Sequence, residues 1–238
     1  MGRAYEVRKA SIQKNGMAKA KIYSNYAKEI YIAAKKSTDI DNNDSLKRLV
    51  EKAKKEQVPG EIINRAIKKV SSNASEDYKE IEYEGFGPGG STLIVKCLTD
   101  NPNRSNSDIR PAFNKTNSKI GGINSVSYNY DHLSIVGIKK KDEEEILNLM
   151  IENDIDIDDI ETEDGVTYIY GQPNDLFKIK KALENKYGNI SYEEDEITKI
   201  AKEKIELQGE DLDNFKKLIN MLNEVEDVQT IYHNVKNV

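Results

Sequence analysis

The 238-residue sequence predicts an α+β protein of three domains: an N-terminal three-helix domain plus two mixed α/β-sheet domains, at least one ferredoxin-like, one inserted in the other. Three observations carry that prediction. Apolar residues recur every three to four positions through the first 70 residues, which is the helical period. Beyond residue 79 the period drops to two in short runs separated by further helical stretches. Within 133–204 the patterns follow one another as strand, helix, strand, strand, helix, strand, the ferredoxin-like order.

In the first domain, residues 1–78, Ile22, Tyr23, Tyr26, Ile30 and Ala33 share one helical face. Lys21, Lys28 and Lys35 fall seven apart on the opposite face and are expected to point outward. A second helix, beginning after Asp44, buries Leu46, Leu49, Val50 and Ala53. A third, opened near Pro59, buries Ile62, Ile63, Ala66, Ile67 and Val70, with Arg65, Lys68 and Lys69 outside. Proline suits a helix start because its missing N–H would have no intrahelical partner there. A basic arm carrying Arg3, Arg8, Lys9 and Lys14 precedes the helices.

The second domain is predicted over 79–132 and 205–238. Residues 81–84 alternate, 85–90 turn, and 92–98 are an apolar strand. A helix around 107–115 places Pro111 in its first turn, and Val126, Tyr128 and Tyr130 alternate as a further strand. A late helix burying Leu212, Phe215, Leu218, Ile219 and Leu222 and a strand at 228–233 complete this domain. The inserted domain, 133–204, has strands at 133–138, 155–160, 166–170 and 190–192. Its helices start at an Asp142 and Glu145 capping pair and at Pro173.

Charge is distributed unevenly. Residues 1–70 hold 17 Lys and Arg against 8 Asp and Glu, whereas the remaining 168 hold 19 against 34, so the net −6 conceals a basic head on an acidic body. Screening confines each charge to about 8–10 Å, so a polyanion responds to the local basic surface and not to the total. The expected nucleic-acid contacts are Arg3, Arg8, Lys9, Lys14, Lys19, Lys21, Lys28, Lys35, Lys36, Arg65, Lys68 and Lys69. The single cysteine, Cys97, excludes an internal disulfide and lies in an apolar run that favours an inert buried thiol. Neither a signal-peptide core nor a membrane-spanning run is present, and a soluble cytoplasmic protein is expected.

Gly85, Gly87 and Gly90 match a dinucleotide-binding spacing, but that mechanism needs a helix after the glycines, and a β-rich run follows. A hairpin turn is the expectation, with glycines that let another backbone approach. Asp154, Asp156, Asp158 and Asp159 begin like a calcium loop, yet the required sixth-position glycine is Asp159. His132 and His233 are the only histidines and lie in no ligand-spaced cluster. No catalytic residue, metal site or cofactor is expected, and the chain reads as a non-enzyme. Gly85, Gly87, Gly89 and Gly90 with Asn103, Arg104 and Arg110 form a possible second contact surface, although capping and turn formation also explain Asn103 and its neighbours.

Several segments together resemble the YebC/PmpR family, in its YebC-II-like form. They are Met1-Gly2-Arg3, the 18–35 helix with Lys28-Glu29-Ile30 and Ala33-Ala34-Lys35, and Tyr83-Glu84-Gly85-Phe86-Gly87-Pro88-Gly89-Gly90. Leu98-Thr99-Asp100-Asn101 with Asn103-Arg104, Ser125-Val126-Ser127-Tyr128 and the 228–233 strand extend the likeness over essentially the whole chain. Asn124 departs from the family, in which a glycine usually precedes the Ser-Val-Ser-Tyr segment.

The resemblance implies a helical domain and two α+β domains, one inserted in the other. It also implies a relation to the mitochondrial translational activator of cytochrome c oxidase. Members are described both as DNA-binding transcriptional regulators and as ribosome-associated translation activators that ease synthesis of difficult stretches such as consecutive prolines. The expected partners are therefore the ribosome, through ribosomal RNA or tRNA, with duplex DNA as the alternative; a membrane is not expected.

Overall fold

One side chain ties together the first two helices of the head. The computed structural model describes residues 19–71 and 77–238, and in it Asn43 links helix α1 (Lys19–Ala34) to helix α2 (Asp44–Lys55). The Asn43 side chain accepts the Leu46 N–H at 3.1 Å, capping α2. Its amide donates to the carbonyls of Ala33 and Ser37 at 2.9 and 2.7 Å. An N-cap of this kind contributes about 1 kcal/mol. Helix α3 (Gly60–Lys69) follows Pro59 directly, and the three helices bury Ile30, Leu46, Val50, Ala53, Ile63 and Ala66 together. The expected arm contacts Arg3, Arg8, Lys9 and Lys14 lie outside the described residues.

Strands β1 (Lys79–Phe86) and β2 (Thr92–Thr99) form a hairpin whose turn is the glycine-rich segment. Phe86 pairs with Thr92, and the Gly87 N–H donates to the Ser91 carbonyl at 2.8 Å. Gly89 adopts φ 60°, and a Cβ there would stand 2.6 Å from Leu207 Cδ2, so this position is closed to a side chain. Helix α4 (Pro102–Asn114) begins at Pro102 and not near Ser107, because Asn101 caps it by accepting the Arg104 N–H at 3.1 Å. Pro111 consequently lies in the helix interior, contrary to the sequence expectation, and withholds the N–H that the Ser107 carbonyl would receive.

Of the expected strand through Val126, Tyr128 and Tyr130, only Tyr130 lies in a strand, as its first residue. The short strand β3 (Lys119–Ile120) pairs with β1 instead, and Ser127–Asn129 is a 3-10 turn. The physical reason is that the buried Glu84 carboxylate takes the backbone N–H groups of Asn124, Val126 and Ser127, which a ladder would have used.

The inserted segment is β4 (Tyr130–Lys139), α5 (Glu143–Glu152), β5 (Ile157–Glu163), β6 (Val166–Gly171), α6 (Leu176–Tyr187) and β7 (Tyr192–Ala201). Its antiparallel sheet runs β5-β6-β4-β7, the ferredoxin-like order, with Val136, Ile138, Ile146, Met150, Ile169, Ile179 and Leu183 in the core beneath the helices. The aspartates at Asp158 and Asp159 belong to β5. Strand β7 begins at the end of the strand expected over 190–192 and is far longer, because its acidic first half conceals a ladder with β4 from Tyr130–Ala201 to Ile138–Tyr192. Helix α7 (Gly209–Glu224) and β8 (Val228–His233) then complete the first sheet, ordered β3-β1-β2-β8. Its core packs Leu93, Val95, Cys97, Ile109, Phe113, Phe215 and Leu218.

Two compact units result. One is Asn129–Lys202; the other joins the described residues up to Tyr128 to Glu203–Val238, so the helical head and the first sheet form one body. Among the described residues no helix is long and apolar enough to cross a membrane. Gly85 lies where β1 crosses the buried ring of Phe113, and a Cβ there would stand 2.4 Å from Phe113 Cε1. Gly85→Ala is therefore expected to lower the unfolding free energy by about 1–3 kcal/mol through overpacking. A urea titration showing an unchanged midpoint would contradict that packing.

Candidate nucleic-acid interface

The heptad spacing of Lys21, Lys28 and Lys35 places them on one face of α1, as expected, but two of the three do not face solvent. Lys28 is 9% exposed, and its ammonium lies 3.1 Å from Asp227 Oδ1. Lys21 donates to the carbonyls of Asn223 and Val225, the latter at 2.8 Å, at the C-terminal end of α7. Helix C-termini present unpaired carbonyls and partial negative charge, so a lysine there is favourable. Burial pushes the Lys21 ammonium down to about 8. The outward lysine row is thus corrected: spacing identifies a helix face, and this face is covered by the segment joining α7 to β8.

Asp227, between α7 and β8, is the centre of that contact, with a side chain only 2% exposed. Besides Lys28, it accepts from Thr99 Oγ1 at 2.9 Å, Ser105 Oγ at 2.8 Å and the Arg104 guanidinium at 3.0 Å. Burial pushes its carboxyl up, but the bonds from Ser105, Arg104, Lys28 and Thr99 outweigh this and hold it at about 2. Nearby, Gln229 Nε2 donates to Asn25 Oδ1 at 2.9 Å, a second polar link from β8 to α1. Cys97 lies in the core beneath, where burial pushes the thiol up to about 12, in keeping with an inert sulfur.

The remaining basic residues of the head gather elsewhere. The Lys35 and Lys69 ammonium groups stand 5.2 and 5.8 Å from the centre of the Tyr31 ring, which brings the C-terminal ends of α1 and α3 together. Lys35 also lies 3.7 Å from Asp77. Lys36, Arg65 and Lys68 are exposed, as is Lys19 at the start of α1. Lys35, Lys36, Lys68 and Lys69 make a cationic edge, held together in part by an aromatic ring. Asn129–Lys202, by contrast, holds 9 Lys against 19 Asp and Glu, so the excess of cations lies outside that unit.

The second expected surface is divided. Gly85, Gly87, Gly89 and Gly90 lie at the turn end of β1 and β2, whereas Arg104 lies beyond the other end of β2, a strand of eight residues or about 23 Å. Arg104 is committed to Asp227 and Asp100, at 3.0 and 2.8 Å. Asn103 is exposed in the first turn of α4, where its carbonyl accepts from Ser107 Oγ at 2.9 Å. Arg110 is exposed further along, with Nε 3.2 Å from Asn106 Oδ1. At the turn end, Gly89 abuts Leu207 and Asp211 at the start of α7, so the close approach permitted by glycine is taken up within the chain. Sequence reading missed both Asp227 and Glu84. Each is one acid among many, and only its burial distinguishes it.

With this geometry in place, likeness to known proteins is informative. Residues 3–73 match the family described as the TACO1/YebC protein N-terminal domain, and residues 78–235 match the TACO1/YebC second and third domain. A probable transcriptional regulatory protein of Pseudoalteromonas translucida is 47% identical over 236 residues, covering 98% of each chain. One from Vibrio cholerae is 45% identical over 235 residues, again 98% of each. The crystal structure of a conserved hypothetical protein from Aquifex aeolicus superposes with a TM-score of 0.73 at 31% identity, covering 92% of this chain and 90% of that one.

Asp227→Asn leaves Lys28 buried without its counter-charge and is expected to cost about 3–5 kcal/mol in urea unfolding. The carboxyl titrates at about 2 when folded against an ordinary 3.8, so its contribution is complete above the ordinary value and disappears as pH falls through about 2. That component, about 2 kcal/mol, should be missing from the acid dependence of the variant. Parallel stability profiles for the two proteins between neutral pH and pH 2 would refute the assignment.

Proposed function

Because this chain belongs to the TACO1/YebC family, we propose that it is a non-catalytic, nucleic-acid-binding regulator of gene expression. The observation that carries the proposal is the cationic edge where α1 and α3 end, with Lys35 and Lys69 at the Tyr31 ring, their sequence neighbours Lys36 and Lys68 exposed, and Arg65 on the same helix as Lys68. A cluster of like charges costs energy in isolation and is relieved when phosphates replace the counterions.

Regulation of transcription through duplex DNA is the reading that the names of the relatives support. The element suited to it is α3. Its ten residues span about 15 Å, and Asn64, Arg65 and Lys68 are exposed along it. Asparagine and arginine are the side chains that read adenine and guanine edges in the major groove.

A second reading is a ribosome-associated translation factor, acting in the cytoplasm, that binds RNA and eases synthesis of difficult, proline-rich stretches. One observation favours it: most of the exposed cations are lysines at helix ends, which neutralise phosphate without reading bases, as shape recognition of structured RNA requires.

The test is binding of the full chain to duplex DNA, structured RNA and ribosomes across a salt series, with a Lys36→Glu, Arg65→Glu, Lys68→Glu variant beside the wild type. Lys21 and Lys28 are left intact because they hold the head in place. The variant should keep wild-type stability and lose affinity, its log–log salt slope falling by roughly 1 for each phosphate contact removed. Sequence-dependent duplex binding without ribosome association selects the transcriptional reading, and the converse selects the translational one. Unchanged affinity for every nucleic acid would remove the cationic edge from the function.

A further inference from the structure

The turn end of the first sheet presents a surface that the cationic edge leaves unexplained. Residues 85–92 and 119–128 contain a single charged side chain, Lys119, in a chain that is 33% charged. Depletion of charge with retention of aromatic and aliphatic side chains marks the centre of contact surfaces. Ile123 is 92% exposed and Phe86 43% exposed, close to one another in the fold. A Cβ on Gly121 would stand 3.3 Å from Phe86 Cε2, so the ring lies over the glycine that starts the Ile123 loop. Phe86 and Lys119 are direct cross-strand partners, which puts both side chains on the same side of the sheet.

The loop that carries Ile123 is held firmly. Glu84, buried on β1, accepts the N–H groups of Asn124, Val126 and Ser127 at 2.7, 2.6 and 2.9 Å. Burial pushes its carboxyl up, but these three bonds prevail and keep it below the ordinary value. Asn124 takes φ 61°, a left-handed conformation that asparagine tolerates better than most residues. Val126 is fully buried beside this clamp. A buried ionised group and a left-handed residue thus fix a loop whose tip is an almost fully exposed isoleucine. Burying Ile123 is not what this construction achieves; holding it out is.

We propose that this surface binds single-stranded RNA, with a base stacked on Phe86, Ile123 wedged between adjacent bases and Lys119 on the phosphate between them. The inference rests on the nucleic-acid reading above and adds a base-contacting site to its phosphate-contacting edge. Three features favour RNA over a protein partner. An exposed ring with a cation opposite it matches one base and its phosphate. A protruding aliphatic residue intercalates readily between unstacked bases, and Gly90 and Gly122, where an added Cβ would meet nothing within 4 Å, leave room for a sugar–phosphate chain. Asp211 stands beside Gly89, so the turn itself carries an anionic neighbour and phosphate is favoured at Lys119. Bases inside a duplex are stacked and out of reach, so an unpaired stretch is required.

The experiment is titration of the full chain into a single-stranded RNA carrying one 2-aminopurine, with the same sequence as single-stranded DNA and as duplex in parallel arms. The proteins are wild type, Phe86→Ala, Ile123→Ala and, as an edge control, Lys68→Glu. Both apolar side chains are exposed, and circular dichroism verifies that the variants remain folded. Wild type should change the 2-aminopurine fluorescence on binding. Phe86→Ala and Ile123→Ala should each lose that change and about tenfold in affinity, with an unchanged salt slope, whereas Lys68→Glu should alter the slope and keep the fluorescence response. Wild-type binding that Phe86→Ala and Ile123→Ala reproduce in full would overturn this site while leaving the nucleic-acid reading intact. So would a preference for the duplex or for the DNA strand. Failure to bind any of the three would overturn both.

Discussion

A buried carboxylate must find donors or give up its charge, and Asp227 finds them on α1, at the end of β2 and at the start of α4. Isolated ionised groups are too costly to bury, so the position of Asp227 dictates where Lys28, Thr99, Arg104 and Ser105 must be. Docking of the helical head onto the first sheet is therefore specified by geometry and charge together. Lys21 at the end of α7 and Asn25 facing Gln229 extend the same contact along α1.

The sequence segments that resemble the YebC/PmpR family divide between two constructions. Thr99, Asp100, Asn101 and Arg104 assemble with Lys28 around Asp227 at one end of the sheet. Glu84, Gly85, Phe86 and the Ser125–Tyr128 residues assemble at the other, where a second buried carboxylate takes backbone donors. In both cases an acid is used to fix backbone and side-chain positions. What differs is the exposed product: a docked head with a cationic edge at its helix ends, and a charge-poor loop with an isoleucine at its tip.

Much of this architecture is legible in the residues. The helical period, the Asp142 cap, the glycine-rich hairpin and the ferredoxin-like order of the insert all depend on local patterns, and each has its counterpart in the fold. Errors arise where a distant group decides. Val126 and Tyr128 alternate like a strand, yet Glu84, some forty residues earlier, captures the backbone N–H groups of Val126 and Ser127. Lys21 and Lys28 have the spacing of a solvent-facing row, yet their partners are about 200 residues away in sequence. Pro111 reads as a helix start because Asn101 and Pro102, which begin the helix, read equally well as a turn. For the candidate interface, charge composition points to the helical head, and only the packing of α1 shows which of its lysines remain at the surface.

The most direct measurement is a double-mutant cycle on Lys28→Met and Asp227→Asn, followed by urea unfolding at neutral pH. If Asp227 secures the head through Lys28, the two substitutions are strongly non-additive, with a coupling energy above about 1.5 kcal/mol. Additive losses, with coupling near zero, would mean that the head is held by its other contacts and that Asp227 serves only the sheet.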